Sequence, residues 1–114
     1  MYHVYMLRCS DGTLYTGIAA DLGRRLREHV QKAPAAAKYT RSRAVEALEM
    51  AWSAEGRSAA SRLESAIKRL PREKKLRLIA EPALLSQLMP QLNDEDYTPL
   101  SCLSLAEWVK GETK

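Results

Sequence analysis

Cysteine is scarce in this chain, and the little there is stands apart. Cys9 and Cys102 are the only two in 114 residues. They make no CxxC pair and no zinc-ligand spacing. That excludes a disulfide framework and a structural zinc site, and leaves the expectation of reduced thiols in a cytoplasmic protein. Long apolar runs are missing too. The N-terminal run is short and interrupted by His3 and Arg8, so neither a signal peptide nor a membrane span is expected. There is no low-complexity tract and no internal repeat. What is present is ordinary for one globular domain: 46% hydrophobic and 28% charged residues, enough chain to bury a core.

The charge is not evenly spread. Residues 1–79 hold 16 Lys and Arg against 8 Asp and Glu, while residues 80–114 hold 2 against 6. A basic first part and an acidic last part point to a polyanionic partner for the former. They also suggest the division of the chain, with a functional unit over 1–79 and a helical or irregular extension over 80–114.

The first 29 residues carry the strongest pattern. Tyr2 to Cys9 and Thr13 to Ile18 are rich in β-branched, aromatic and aliphatic residues, as strands require. A two-residue Asp11-Gly12 loop between them would set Tyr5 and Tyr15 on opposite faces. A three-residue Ser10-Asp11-Gly12 loop puts Gly12 at the left-handed position of a bulged turn. It pairs Tyr15 with Leu7 and Gly17 with Tyr5, and both tyrosines then share a face. This register is preferred. A helix follows, capped by Asp21, with Leu22, Leu26 and Val30 as its expected buried stripe. Arg25 and His29, four apart, are neighbours on another face.

Residues His3-Val4-Tyr5 and Tyr15-Thr16-Gly17 resemble the two half-motifs of the GIY-YIG endonuclease superfamily, and Leu22-x-x-Arg25-Leu26-x-x-His29 resembles the helix after them. The similarity is to the small, stand-alone bacterial members and covers roughly residues 2 to 79. His3 stands where the motif has Gly, and Thr16 where it has Ile; neither departure removes a functional side chain.

Beyond the first helix, Pro34 and three alanines mark a loop. Lys38-Tyr39-Thr40-Arg41-Ser42-Arg43 then combines cations with an aromatic, which suits a phosphate backbone and a stacked base, or equally a solvated basic loop. The resemblance favours the former, since the family has a similar segment here. Ala44 to Ser53 alternates and is expected as a third strand, although its Ala, Glu, Leu and Met also favour helix. Ser58 is the expected cap of a helix ending before Pro71, with Leu63, Ile67 and Leu70 inward. Glu64 and Lys68 on its flank read, by residue chemistry alone, as a surface ion pair. The resemblance implies otherwise: Leu63-Glu64-Ser65-Ala66-Ile67-Lys68 matches the family helix whose glutamate binds metal. Pro71 to Ile79 and Ala83 to Met89 are expected as two further helices, Asn93 to Asp96 as an acidic turn, and Leu103 to Lys110 as a weakly amphipathic segment.

The expected fold is therefore α/β of the α+β type: a small three-stranded antiparallel sheet flanked by helices. The resemblance implies a nuclease that cleaves DNA phosphodiester bonds with one divalent cation, Mg2+ or Mn2+, held by Glu64. It implies a role for Arg25 on the phosphate and for Tyr15, with Tyr5 beside it, in activating water. His29 is the rival base on its ordinary pKa. Lys38, Tyr39, Thr40, Arg41, Arg43 and Lys68 are the expected DNA contacts. Two other classes stay open: a nucleic-acid-binding module without turnover, and a protein-interaction domain using the Leu- and Trp-bearing tail. Oligomeric state is open between monomer and weak dimer. If residues 1–79 bind DNA through phosphates, affinity falls as salt rises. Replacing Lys38, Arg41 and Arg43 together by Ala should then flatten that dependence in a salt titration, with the melting temperature unchanged.

Overall fold

The computed structural model describes residues 1–31, 44–101 and 104–110. Strand β1 (Tyr2–Cys9) runs through the middle of an antiparallel sheet, with β2 (Leu14–Ala19) on one side and β3 (Val45–Ala54) on the other. Its central run Val4-Tyr5-Met6-Leu7 has no solvent exposure at all. A strand buried on both faces needs apolar residues at every position, not alternate ones, and this run supplies them. Side chains from Tyr5 and Leu7 point to one face, where helix α1 (Leu22–Gln31) lies with Leu22 and Leu26. Val4 and Met6 point to the other, into a larger core with Leu63 and Ile67 of α2 (Arg57–Arg69) and Leu78 of α3 (Arg72–Ala80). Each such side chain contributes about 1.5–3 kcal/mol by leaving water.

The turn between β1 and β2 has three residues. Cys9 N–H donates to the Thr13 carbonyl at 2.9 Å, and Gly12 N–H donates back to the Cys9 carbonyl at 2.8 Å. Gly12 has φ of 86°, a left-handed conformation that a Cβ disfavours. The resulting register sets Tyr5 opposite Gly17 and Leu7 opposite Tyr15, as the turn chemistry predicts. Asp21 caps α1 as expected: its Oδ1 accepts from the Arg24 N–H at 3.1 Å. The stretch after Ala44 is a strand, not the alternative helix. Two register irregularities in its pairing with β1 leave Glu46 and Glu49 as extra residues, and both carboxylates pair with Arg8.

Several expectations need correction. The sheet has four strands, in the order β2-β1-β3-β4. The fourth, β4 (Tyr97–Pro99), pairs antiparallel with the end of β3, and the Leu100 N–H extends the contact to the Ala51 carbonyl at 2.9 Å. Three residues containing a proline are too few to read as a strand, and proline is tolerated there because β4 is an edge. Val30 is 39% exposed, and His29 is buried in its place; a hydrogen bond inside the sheet-facing layer makes the imidazole the better inward residue. Helix α2 starts two residues earlier than a Ser58 cap would allow. Gly56 is its N-cap, without a side-chain cap, and the Ser58 hydroxyl accepts from Arg62 Nη1 at 2.8 Å. Leu70 is the C-cap, only partly buried, and Pro71 caps α3 instead of lying in its first turn. The expected helix over 83–89 is a 3-10 turn (Pro82–Leu84) followed by one helical turn, α4 (Leu85–Leu88). Asn93 caps a second 3-10 turn over the acidic run Asp94–Asp96. The last helix, α5 (Leu105–Lys110), sets Leu105 and Trp108 against the α1 layer. No helix among the described residues is long and apolar enough to cross a membrane.

The turn generates a test. Space around Gly12 is open, since an added Cβ would meet nothing within 4 Å. Any cost of Gly12→Val is then conformational and should be at least about 1 kcal/mol. Thermal melts read it directly, and a parental melting temperature for the variant would contradict the left-handed turn.

Candidate active site

The register of the hairpin decides which side chains meet. Gly17 lies opposite Tyr5 and carries no side chain, so the Tyr5 ring folds over it. A Cβ built on Gly17 would sit 2.6 Å from the Tyr5 hydroxyl and 3.1 Å from Tyr15 Cε2. The space left by the missing side chain of Gly17 is thus filled by Tyr5 itself. Tyr15 stands next to it on the same face, ring centroids 6.3 Å apart.

Helix α1 completes the cluster. The His29 ring packs edge-on against both tyrosines, with centroids 5.6 Å from Tyr5 and 5.5 Å from Tyr15. Its Nε2 is 2.8 Å from the Tyr5 hydroxyl. Arg25, one turn earlier, also hydrogen-bonds that hydroxyl. A guanidinium only donates, so the phenol oxygen accepts from Arg25. Burial, together with the neighbouring Tyr15, drives the Tyr5 phenol well above its ordinary pKa, so it keeps its proton. That proton is donated to His29 Nε2, which assigns the neutral imidazole with Nδ1 protonated. Burial, seconded by the Arg25 charge, lowers the His29 pKa to about 4.

Glu28 holds the guanidinium in place, and it is a residue that the sequence reading missed. Its carboxylate accepts from Arg25 Nη1 at 2.9 Å and lies 3.4 Å from Arg24 Nε. The spacings of three and four along one helix would have revealed it. Beside this pair is a hollow of about 270 Å³ lined by Ala19, Ala20, Asp21, Arg24, Arg25 and Glu28. His3, the departure at the first half-motif, shares the Tyr5 face by strand alternation. Its Nδ1 is buried without a partner.

Glu64 approaches from α2. Its carboxylate is close enough to Tyr5 to disfavour the phenolate, and its side chain is 23% exposed. It pairs with Lys68 at 3.2 Å, with the lysine half in solvent. No group of three or more His, Cys, Asp or Glu suited to a metal occurs among the described residues. A single carboxylate nevertheless suits Mg2+, which keeps most of its water and borrows oxygens from a phosphate. The structure therefore gathers Tyr5, Tyr15, Arg25 and His29 into one cluster, with Glu64 at its margin and Lys68 beyond. Lys38, Tyr39, Thr40, Arg41 and Arg43 lie outside the described residues.

Comparison with known proteins places the chain among relatives. The family model described as the GIY-YIG catalytic domain matches residues 1–77. A UPF0213 protein of Fusobacterium nucleatum is 43% identical over 81 residues, covering 71% of this chain and 79% of its own. Another, from Halobacterium salinarum, is 47% identical over 75 residues, covering 66% of this chain and 95% of its own. The solution NMR structure of a UPF0213 protein from Bacillus halodurans is 34% identical, with a TM-score of 0.46 over 78% of this chain and 97% of that one.

The buried imidazole predicts a pH dependence. In the unfolded chain His29 takes up a proton near pH 6.5, but in the folded protein only near 4. Between those values the unfolded state binds more protons, so acidification favours unfolding. The stability at stake is on the order of a few kcal/mol, present above pH 6.5 and lost progressively toward pH 4. Urea unfolding at stepped pH should show this loss, and His29→Gln should have a flatter profile over the same interval.

Proposed function

Since this chain belongs to the GIY-YIG family of nucleases, we propose that it hydrolyses DNA phosphodiester bonds with one divalent cation, and that the clustered side chains divide the work. One observation carries the reading. The Tyr5 phenol joins both half-motifs and both flanking helices: it covers Gly17, donates to His29, accepts from Arg25, and faces the Glu64 charge. Residues 12 to 59 positions away in sequence are drawn to one phenol.

A phosphodiester is anionic, so the charge that develops during attack must be met by cations already in place. Arg25 presents a planar fork, fixed from behind by Glu28 and Tyr5, toward the hollow at the start of α1. Glu64 is the carboxylate that would hold the metal, with Lys68 giving way. When bound, that ion would polarise a non-bridging oxygen and stabilise the leaving oxygen. Tyr15 is the phenol left to orient the attacking water, its phenolate being the form that takes the proton. Tyr5 cannot do so, because burial keeps it protonated and its hydrogen is committed to His29. His29 cannot either: it is wholly buried, and its accepting nitrogen is already used. It acts as a positioning residue that holds Tyr5, and through Tyr5 holds Arg25.

The Glu64–Lys68 pair favours a second reading, a nucleic-acid-binding module without turnover, in which the ammonium occupies the place of a metal. The two diverge for Glu64→Gln. Under the nuclease reading, single-turnover cleavage with Mg2+ or Mn2+ should fall by more than about a hundredfold, while DNA binding in chelator is kept or slightly tightened. Lys68→Ala should retain cleavage. Under the binding-module reading, loss of the exposed pair costs less than about 1 kcal/mol of stability and changes nothing else. Tyr15→Phe should likewise lose cleavage while keeping its melting temperature, since only a hydroxyl is removed from a partly exposed ring.

A further inference from the structure

A hollow of about 570 Å³ runs along the outer flank of α2. One wall is a helical stripe of Ser61, Arg62, Ser65 and Arg69; the other is Gln91 and Leu92, from the segment after α4. The spacing of three and four places the four α2 residues on one side of the helix. Every polar group named in this stripe can donate a hydrogen bond, and no acid among the described residues lines the hollow. Arg69 has no ion-pair partner among the described residues. Arg62 is partly committed: it reaches Ser58 at 2.8 Å and the Tyr97 hydroxyl, with Asp96 acting on the same tyrosine. Ser61, three residues before Glu64, is the member of the stripe nearest the candidate metal carboxylate, and the two arginines lie farther round the helix.

The geometry points to this groove as a track for the DNA phosphate backbone flanking the cleaved bond, with Arg62 and Arg69 on phosphate oxygens and Ser61 and Ser65 donating between them. The dimensions fit. Seven residues of helix separate Arg62 from Arg69, about 10.5 Å along the axis. That separation lets the two long side chains reach different phosphates of one strand. The far wall comes from Gln91 and Leu92, outside the family-matched residues 1–77. The extension, acidic overall, thus contributes to a groove that would accept anions. This inference rests on the nuclease reading above and assigns where the substrate runs.

The test uses the full chain with fluorescently labelled duplex DNA in chelator, titrated at several salt concentrations. Arg62→Gln/Arg69→Gln should weaken binding at least tenfold at low salt and lower the slope of log affinity against log salt by about two, at about 0.9 per phosphate contact. Because Arg62 also supports Tyr97, Arg69→Gln alone is the second variant; it should lower the slope by about one with no change in melting temperature. Cleavage at saturating DNA should keep its rate in both, with only the half-saturating concentration raised. Parental affinity and slope in both variants, from a protein that still binds and cuts, would overturn the groove and leave the nuclease reading standing. A parent that binds no DNA at all would overturn both.

Discussion

The hydrogen bond between the Tyr5 phenol and the His29 imidazole is the contact on which the site depends. It is fully buried, so water cannot substitute for either partner, and losing one would strand the other at a cost of about 1–3 kcal/mol. It also binds the central strand to the first helix by something more directional than apolar packing. Leu22 and Leu26 would allow α1 to slide or rotate on the sheet by small amounts. A 2.8 Å bond to one nitrogen of one ring does not. Arg25 shares the helix and the phenol, so its guanidinium inherits that orientation.

The bond in turn depends on glycine at two positions for two different reasons. Gly12 accepts a backbone conformation that other residues resist, and this sets the hairpin register. Gly17 offers the absence of a side chain, and the Tyr5 ring uses that space. Slipping the register by one residue would put another residue opposite Tyr5 and send Tyr15 to the other face of the sheet. Backbone conformation at the turn therefore fixes the relation between two phenols that lie well away from it.

Much of this was legible in the sequence because it rests on local chemistry. The three-residue turn, the Asp21 cap, the strand after Ala44 and the helix bearing Glu64 each follow from residues within a few positions of one another. What could not be read rests on distant contacts. Apolar periodicity placed Val30 inward and treated His29 as polar; the partner that makes His29 a good buried residue is 24 positions away. Arg8 finds Glu46 and Glu49 only because β3 is irregular at those two residues, and no propensity announces that. Strand β4 exists because β3 presents an unpaired edge to it, a fact about the assembled sheet and not about Tyr97-Thr98-Pro99. The stretch from Lys38 to Arg43 carries the plainest polyanion signal in the sequence and lies outside the described residues, so its contribution rests on charge and resemblance.

That short fourth strand has a consequence for where the folded unit stops. By family likeness the unit ends near residue 77, yet the edge of β3 beside Trp52, Ser53 and Ala54 is covered from residues 97–99. An uncovered edge offers unpaired amides and carbonyls to any passing strand, most readily the same edge of another molecule. Tyr97 adds a peg, its hydroxyl donating to the Ala59 carbonyl at 2.8 Å and tying the strand to α2. The extension thus covers the end of the β3 edge. A chain cut at the family boundary would keep every residue of the Tyr5 cluster and leave the amides and carbonyls at that end of β3, on the side remote from β2, without their strand partner.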